Sequence, residues 1–105
     1  MSESSFESPA SIDQFRQEID SLDSELLRMF NRRATLALQI GQIKKAKGLP
    51  VYDPSREKKI FDRMKGLNGG PLEDGAVVRL FERVIDESRR LERIMTHPDD
   101  PEIKE

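Results

Sequence analysis

Arg33, Lys44, Arg56, Glu57, Ser88 and Glu92 are the side chains of this sequence best suited to chemistry on an anion. Arg33 is the most telling. It stands where a leucine is expected in an apolar stripe running Ile12, Phe15, Ile19, Leu22, Leu26, Met29/Phe30, then Leu36/Ala37, Ile40 and Ile43. Steps of three and four residues mark the buried face of one amphipathic helix. An unpaired guanidinium on such a face is costly, so a carboxylate of the protein or an anionic ligand should meet it. Lys44 lies eleven residues on, about three turns, and so on nearly the same face. Arg56 and Glu57 fall in the first turn of a second helix, where Glu57 shares a face with Ile60, Phe61 and Met64. Ser88 interrupts the apolar stripe of a third helix, between Val84/Ile85 and Leu91, and Glu92 follows it one turn later, in line with Met95.

Singly, each of these groups reads as a solvated flank or a satisfied ion pair. Together they place polar groups on inward faces of three helices, which is the make-up of a ligand pocket. The surplus is positive, so the ligand should carry carboxylates or phosphates. No glycine-rich phosphate loop precedes a helix, which disfavours a nucleotide. Bidentate arginine recognition of carboxylates fits better. No nucleophile is paired with a base, so any reaction would run on positioning and electrostatics.

The rest of the sequence narrows the class. A length of 105 residues suits one small domain, with 36% charged and 35% hydrophobic residues. A net charge of −2 without a basic block argues against nucleic acid. There is no cysteine, and the only histidine, His97, lies in a Pro/Asp-rich stretch, so no metal site is expected. Charges interrupt the apolar stripe too often for a membrane span, and MSESSFESPAS lacks the basic start and apolar run of a signal peptide. The expectation is a cytoplasmic protein.

Three helices must hold these groups. Residues 1–10 read as a disordered tail and 97–105 as a flexible one, with a single domain over 11–96. Ser11-Ile-Asp-Gln14 fits a capping box at the start of the first helix, which Gly48-Leu-Pro50 stops after Lys47. Asp53 as N-cap and Pro54 at the first helical position open the second, running to about Lys65, with Gly66 in the following loop. The third covers about 73–95, with Val77, Val78, Phe81, Val84, Ile85, Leu91 and Met95 inward. The fold class is all-α, without strands. A first helix of about 36 residues would span roughly 54 Å, against a diameter of roughly 33 Å for a compact globule of this size. Its overhanging apolar stripe should be buried on another chain, and an intertwined antiparallel homodimer is the simplest closed solution.

The sequence resembles the all-helical AroQ class of chorismate mutases. The matching stretches are Phe15 to Asp23, Asn31-Arg32-Arg33, Ile40 to Lys44, Val51 to Glu57, and Arg79-Leu-Phe81 through Ile85-Asp-Glu-Ser88. The resemblance covers residues 12–95. It implies a dimer of three-helix chains and the Claisen rearrangement of chorismate to prephenate, on the route to Phe and Tyr, without a cofactor or covalent intermediate. It also assigns roles. Arg33 and Arg16 look like carboxylate clamps, Arg16 reaching across from the partner chain. Lys44 looks like the cation at the ether oxygen. Asp53 and Glu57 match positions that hold the ring hydroxyl, and Arg56 and Ser88 match further substrate contacts. Helix geometry agrees about Arg16: it lies seventeen residues from Arg33, roughly 25 Å along the axis. An antiparallel partner helix crossing near residues 24–25 would bring Arg16 of one chain beside Arg33 of the other.

Many bacterial members of the class carry glutamine where this chain has Glu92, and others carry glutamate. A glutamate donates a hydrogen bond to the ether oxygen only when protonated, so Glu92 is expected to act as a neutral acid, catalytic beside Lys44 and Arg33. Three rival readings stand beside this one. An isochorismate-pyruvate lyase shares the fold and basic pocket, although Asp53-x-x-Arg56-Glu57 follows the mutase pattern better. A regulatory or non-catalytic subunit would assemble with a shikimate-pathway enzyme and wait for it. A bare structural dimer would pair Arg33 with an acid of the other chain and bind nothing.

Overall fold

A computed structural model describes residues 10–96 of the chain. The expected tails at 1–10 and 97–105 therefore lie outside the described residues, except for the backbone of Ala10, which is helical. The architecture is three helices: α1 Ala10–Lys47, α2 Pro54–Leu67 and α3 Asp74–Thr96. No strand occurs among the described residues. The all-α expectation and the very long first helix, 38 residues, are both met.

The ends follow local chemistry, with two corrections. α1 already includes Ala10, so Ser11 lies inside the helix and is not its cap. Its far end is as expected. Gly48 adopts φ +71°, which a side chain would disfavour. The Leu49 N–H reaches Lys44 O at 2.7 Å and the Gly48 N–H reaches Lys45 O at 3.2 Å, the paired bonds of a Schellman stop. The Asp53 carboxylate accepts from the Arg56 backbone N–H at 3.0 Å, with Pro54 behind it, as the cap reading requires. The second correction is that α2 continues through Gly66 to Leu67. Asn68, not Gly66, closes the turn. Its amide donates to Leu72 O and to Asp74 Oδ1, both at 2.8 Å, and its oxygen accepts from the Gly70 N–H. Glycine in a helix costs only about 1 kcal/mol, which these bonds offset.

The chain divides into two compact units, one up to Arg32 and one from Arg33 onward. The described part of the first unit is the leading stretch of α1. Its stripe has the expected helical spacing, yet every member is exposed within this chain, from Leu26 at 41% to Phe15 at 62%. In the second unit α2 packs on α3. Ile60, Phe61 and Met64 on α2, and Val77, Val78, Phe81 and Val84 on α3, are part-buried. Met95, expected inward, is exposed; Thr96, one residue on, occupies the buried line instead. That line runs Ile85, Ser88, Glu92, Thr96, and Ile85 is its only apolar member. The best-buried positions of this unit are therefore largely polar, which is unusual for a core and ordinary for a site. No described helix is long and apolar enough to cross a membrane.

Candidate functional site

The cavity of the second unit has a volume of about 220 Å³. Arg33, Lys44, Asp53, Arg56, Glu57, Ser88 and Glu92 all line it, so the fold brings together every predicted site residue except Arg16. Arg16 belongs to the first unit, where it is exposed and 3.9 Å from Asp13. Arg56, expected inward, lines the cavity but is itself exposed.

α1 supplies two cations. Arg33 is half-buried and donates from Nη1 to Ser88 Oγ at 3.1 Å. Lys44, three turns on, donates from Nζ to the backbone carbonyl of Val51 at 3.1 Å. Among the described residues neither lies within ion-pair distance of a carboxylate. Their direct partners are a neutral hydroxyl and a neutral carbonyl, so no carboxylate is in contact with either charge. A dicarboxylate would be drawn to such a place.

Glu92 faces these cations from α3. It is 8% exposed, and its Oε1 is buried with no hydrogen-bond partner. Burial pushes its carboxyl above the ordinary 4.5, while the charges of Lys44, Arg33 and Arg89 pull it down. The net direction is upward, which favours the protonated carboxyl over the carboxylate at this position. Gly41 makes room for it. A β-carbon on residue 41 would stand 3.1 Å from both Cγ and Oε1 of Glu92. Thr96 Oγ1 donates to the Glu92 carbonyl and ties down the next turn.

Three participants are absent from the sequence-based set: Gly41, Tyr52 and Arg89. Arg89 donates from Nη1 to Glu57 Oε2 and from Nη2 to Asp86 Oδ1, each at 2.7 Å. Its guanidinium carbon lies 5.0 Å from the centre of the Tyr52 ring. Read as half of an Arg89-Arg90 pair, it looks solvated. Its spacing says otherwise: Ile85, Ser88, Arg89, Glu92 and Thr96 follow the 0, 3, 4, 7, 11 progression of one helix face.

The arrangement has room and charge for a small anion beside two cations, offers carboxylate acceptors at one wall and presents a buried acid at another. It can stabilise charge that develops on a ligand oxygen. Comparison with known proteins points the same way. A family model described as chorismate mutase type II matches residues 15–93. A chorismate mutase of Methanocaldococcus jannaschii is 30% identical over 81 residues, a match covering 76% of this chain and 82% of that protein. A bifunctional chorismate mutase/prephenate dehydratase of Aquifex aeolicus is 39% identical over 84 residues, covering 76% of this chain. The chain spans 23% of that relative's length and 22% of a second such bifunctional relative. Among solved structures, the Helicobacter pylori chorismate mutase in complex with prephenate is 27% identical and superposes with a TM-score of 0.77, covering 87% of this chain and 98% of that one.

Proposed function

Because the chain belongs to the type II chorismate mutase family, we propose that it catalyses the rearrangement of chorismate to prephenate, an isomerisation serving Phe and Tyr synthesis. The observation that carries this reading is the pairing state of the cavity. Arg33 and Lys44 rest on neutral partners, and Glu92 keeps a buried oxygen without one. A dianionic ether supplies what all three lack.

In this reading Arg33 and a second arginine clamp the two carboxylates and hold chorismate in its compact chair. The ether C–O bond breaks as the new C–C bond forms, within one molecule and with no proton gained or lost. Negative charge grows on the ether oxygen as the bond stretches. Lys44 Nζ and the protonated Glu92 carboxyl donate to that oxygen, and their bonds strengthen at the transition state, which is where stabilisation accelerates a reaction. Asp53 and Glu57 accept from the ring hydroxyl, and Arg56 and Ser88 make further contacts. Neither a cofactor nor a metal has a role.

The reading includes a homodimer. Ile12, Phe15, Ile19, Leu22 and Leu26 form an exposed apolar face on the first unit, and Arg16 projects from that same stretch. A second copy laid antiparallel would cover the face and deliver Arg16 as the second clamp, giving two sites per dimer, each made of both chains. The functional domain is taken as 11–96 and its place of action as the cytoplasm. Since several relatives join this domain to prephenate dehydratase, a partner enzyme of the same pathway belongs to the proposal. Disappearance of chorismate with prephenate as the product tests the reading. Turnover of isochorismate to pyruvate instead would replace it with the lyase.

A further inference from the structure

Arg89 carries a chemistry that the roles above do not use. It lines the cavity between Ser88 and Glu92, yet both arms of its fork are engaged, one by Glu57 and one by Asp86, while its flat face covers Tyr52. The Arg89 and Glu57 side chains are only 21% and 20% exposed. A part-buried ion pair of this kind adds little to stability over an apolar pair of equal volume. What it does here is fix one carboxylate oxygen of Glu57. Oε2 is held by the guanidinium, which leaves Oε1 to accept from a donor in the cavity.

Charge balance gives the pair a second effect. Arg33, Lys44, Arg56 and Arg89 line the cavity against the carboxyl groups of Asp53, Glu57 and Glu92. Glu57 alone would repel a dianion. With Arg89 on it, the wall keeps an acceptor for a hydroxyl while the charge of Glu57 is offset; Asp86, on the other arm of the guanidinium, is exposed to solvent. Tyr52 adds a third link. It precedes the N-cap Asp53, so the cation over its ring fastens the loop between α1 and α2 to α3.

We propose that Arg89 is a positioning residue for the ring hydroxyl of the substrate, acting through Glu57. The proposal rests on the mutase reading and deepens it: Arg89 sets preference for a hydroxylated ring and leaves the bond-breaking step to Lys44 and Glu92. A merely structural Arg89 would affect all substrates alike.

The test compares chorismate with its analogue in which hydrogen replaces the ring hydroxyl, using the full chain and its variants Arg89→Met, Arg89→Lys, Glu57→Gln and the Arg89→Met/Glu57→Gln double. Arg89→Met should raise KM for chorismate about tenfold, the loss of one charge-assisted bond, with kcat within about threefold. The analogue should register a clearly smaller loss, since it feels the uncovered charge of Glu57 but loses no hydroxyl contact. Arg89→Lys should restore part of the preference. Glu57→Gln should lose it, and the double variant should be no worse than Glu57→Gln alone, since the two residues act as a unit. Equal losses on both compounds, or additive losses in the double variant, would overturn the role of Arg89. Should Arg89→Met fail to fold, the Arg89→Lys and Glu57→Gln preferences decide, and an unchanged preference in both overturns the role. A wild-type protein inert toward both compounds would overturn the mutase reading itself, and the role of Arg89 with it.

Discussion

Gly41 of α1 and Glu92 of α3 touch so closely that a β-carbon at 41 would lie 3.1 Å from Glu92 Cγ and Oε1, tight enough that the acid would have to give way. The absence of one methyl group thus lets the acid stand beside Lys44, on the same helix as Gly41. Alanine is a better helix former than glycine by roughly 0.5–1 kcal/mol, so Gly41→Ala should leave the melting temperature within about 5 °C of the wild type. It should also push Glu92 aside by a few tenths of an ångström and lower kcat by about tenfold. Melting curves and steady-state rates on the same preparation separate the two effects; an unchanged kcat would contradict the positioning of Glu92 by Gly41.

Protonation of Glu92 should govern the pH dependence. Burial raises its pKa above 4.5, and only the neutral form donates. Activity should therefore decline as pH climbs through the raised value, and Glu92→Gln should flatten that decline. Stability should move with it. Between the ordinary and the raised pKa the folded chain binds more protons at this site than the unfolded chain, so unfolding free energy falls as pH rises through that window. Glu92→Gln removes this contribution. Rate profiles and urea titrations across pH check both, and an unchanged slope in the variant would contradict the assignment.

The two cations without acidic partners should matter more to rate than to folding. Among the described residues, Arg33 donates to Ser88 Oγ and Lys44 to Val51 O. Arg33→Ala and Lys44→Ala should each cost about two to three orders of magnitude in kcat/KM, with helical circular dichroism retained. Near-wild-type rates in either would remove that residue from the site.

Arg16 should act across the dimer. Arg16→Ala and Lys44→Ala proteins should each be nearly inactive alone. Unfolded together in equal amounts and refolded, half of the dimers are mixed and each has one intact site, so about a quarter of wild-type activity should return. No recovery would contradict the delivery of Arg16 from the partner chain.

Much of this was readable from residue types alone because helices announce themselves locally. Asp53-Pro54 and Gly48 mark helix ends through capping groups that lie next to them in sequence, and the structure bears both out. Ser11 looked equally good as a cap, yet α1 includes Ala10 before it; a capping box is a matter of three residues and says nothing of what precedes it. Glu57, Ser88 and Glu92 were legible as polar intruders on apolar faces. Arg89 shares the helix face of Ser88 and Glu92 by spacing, but its partner Glu57 is thirty-two residues away, and no local pattern encodes that meeting. Gly41 was invisible for a related reason: a missing side chain gains meaning only when its neighbour is known. Met95 and Thr96 differ by one position on the helix, a rotation of about 100°, and the apolar one of the pair was the natural but mistaken choice for the buried line.

The decisive measurement gives purified protein chorismate and follows both its absorbance and the identity of the product from acid to alkaline pH. A chorismate mutase with Glu92 as its acid should convert chorismate rapidly to prephenate with no added cofactor, fading toward alkaline pH. Chorismate that disappears no faster than in buffer, at every pH, would contradict that activity.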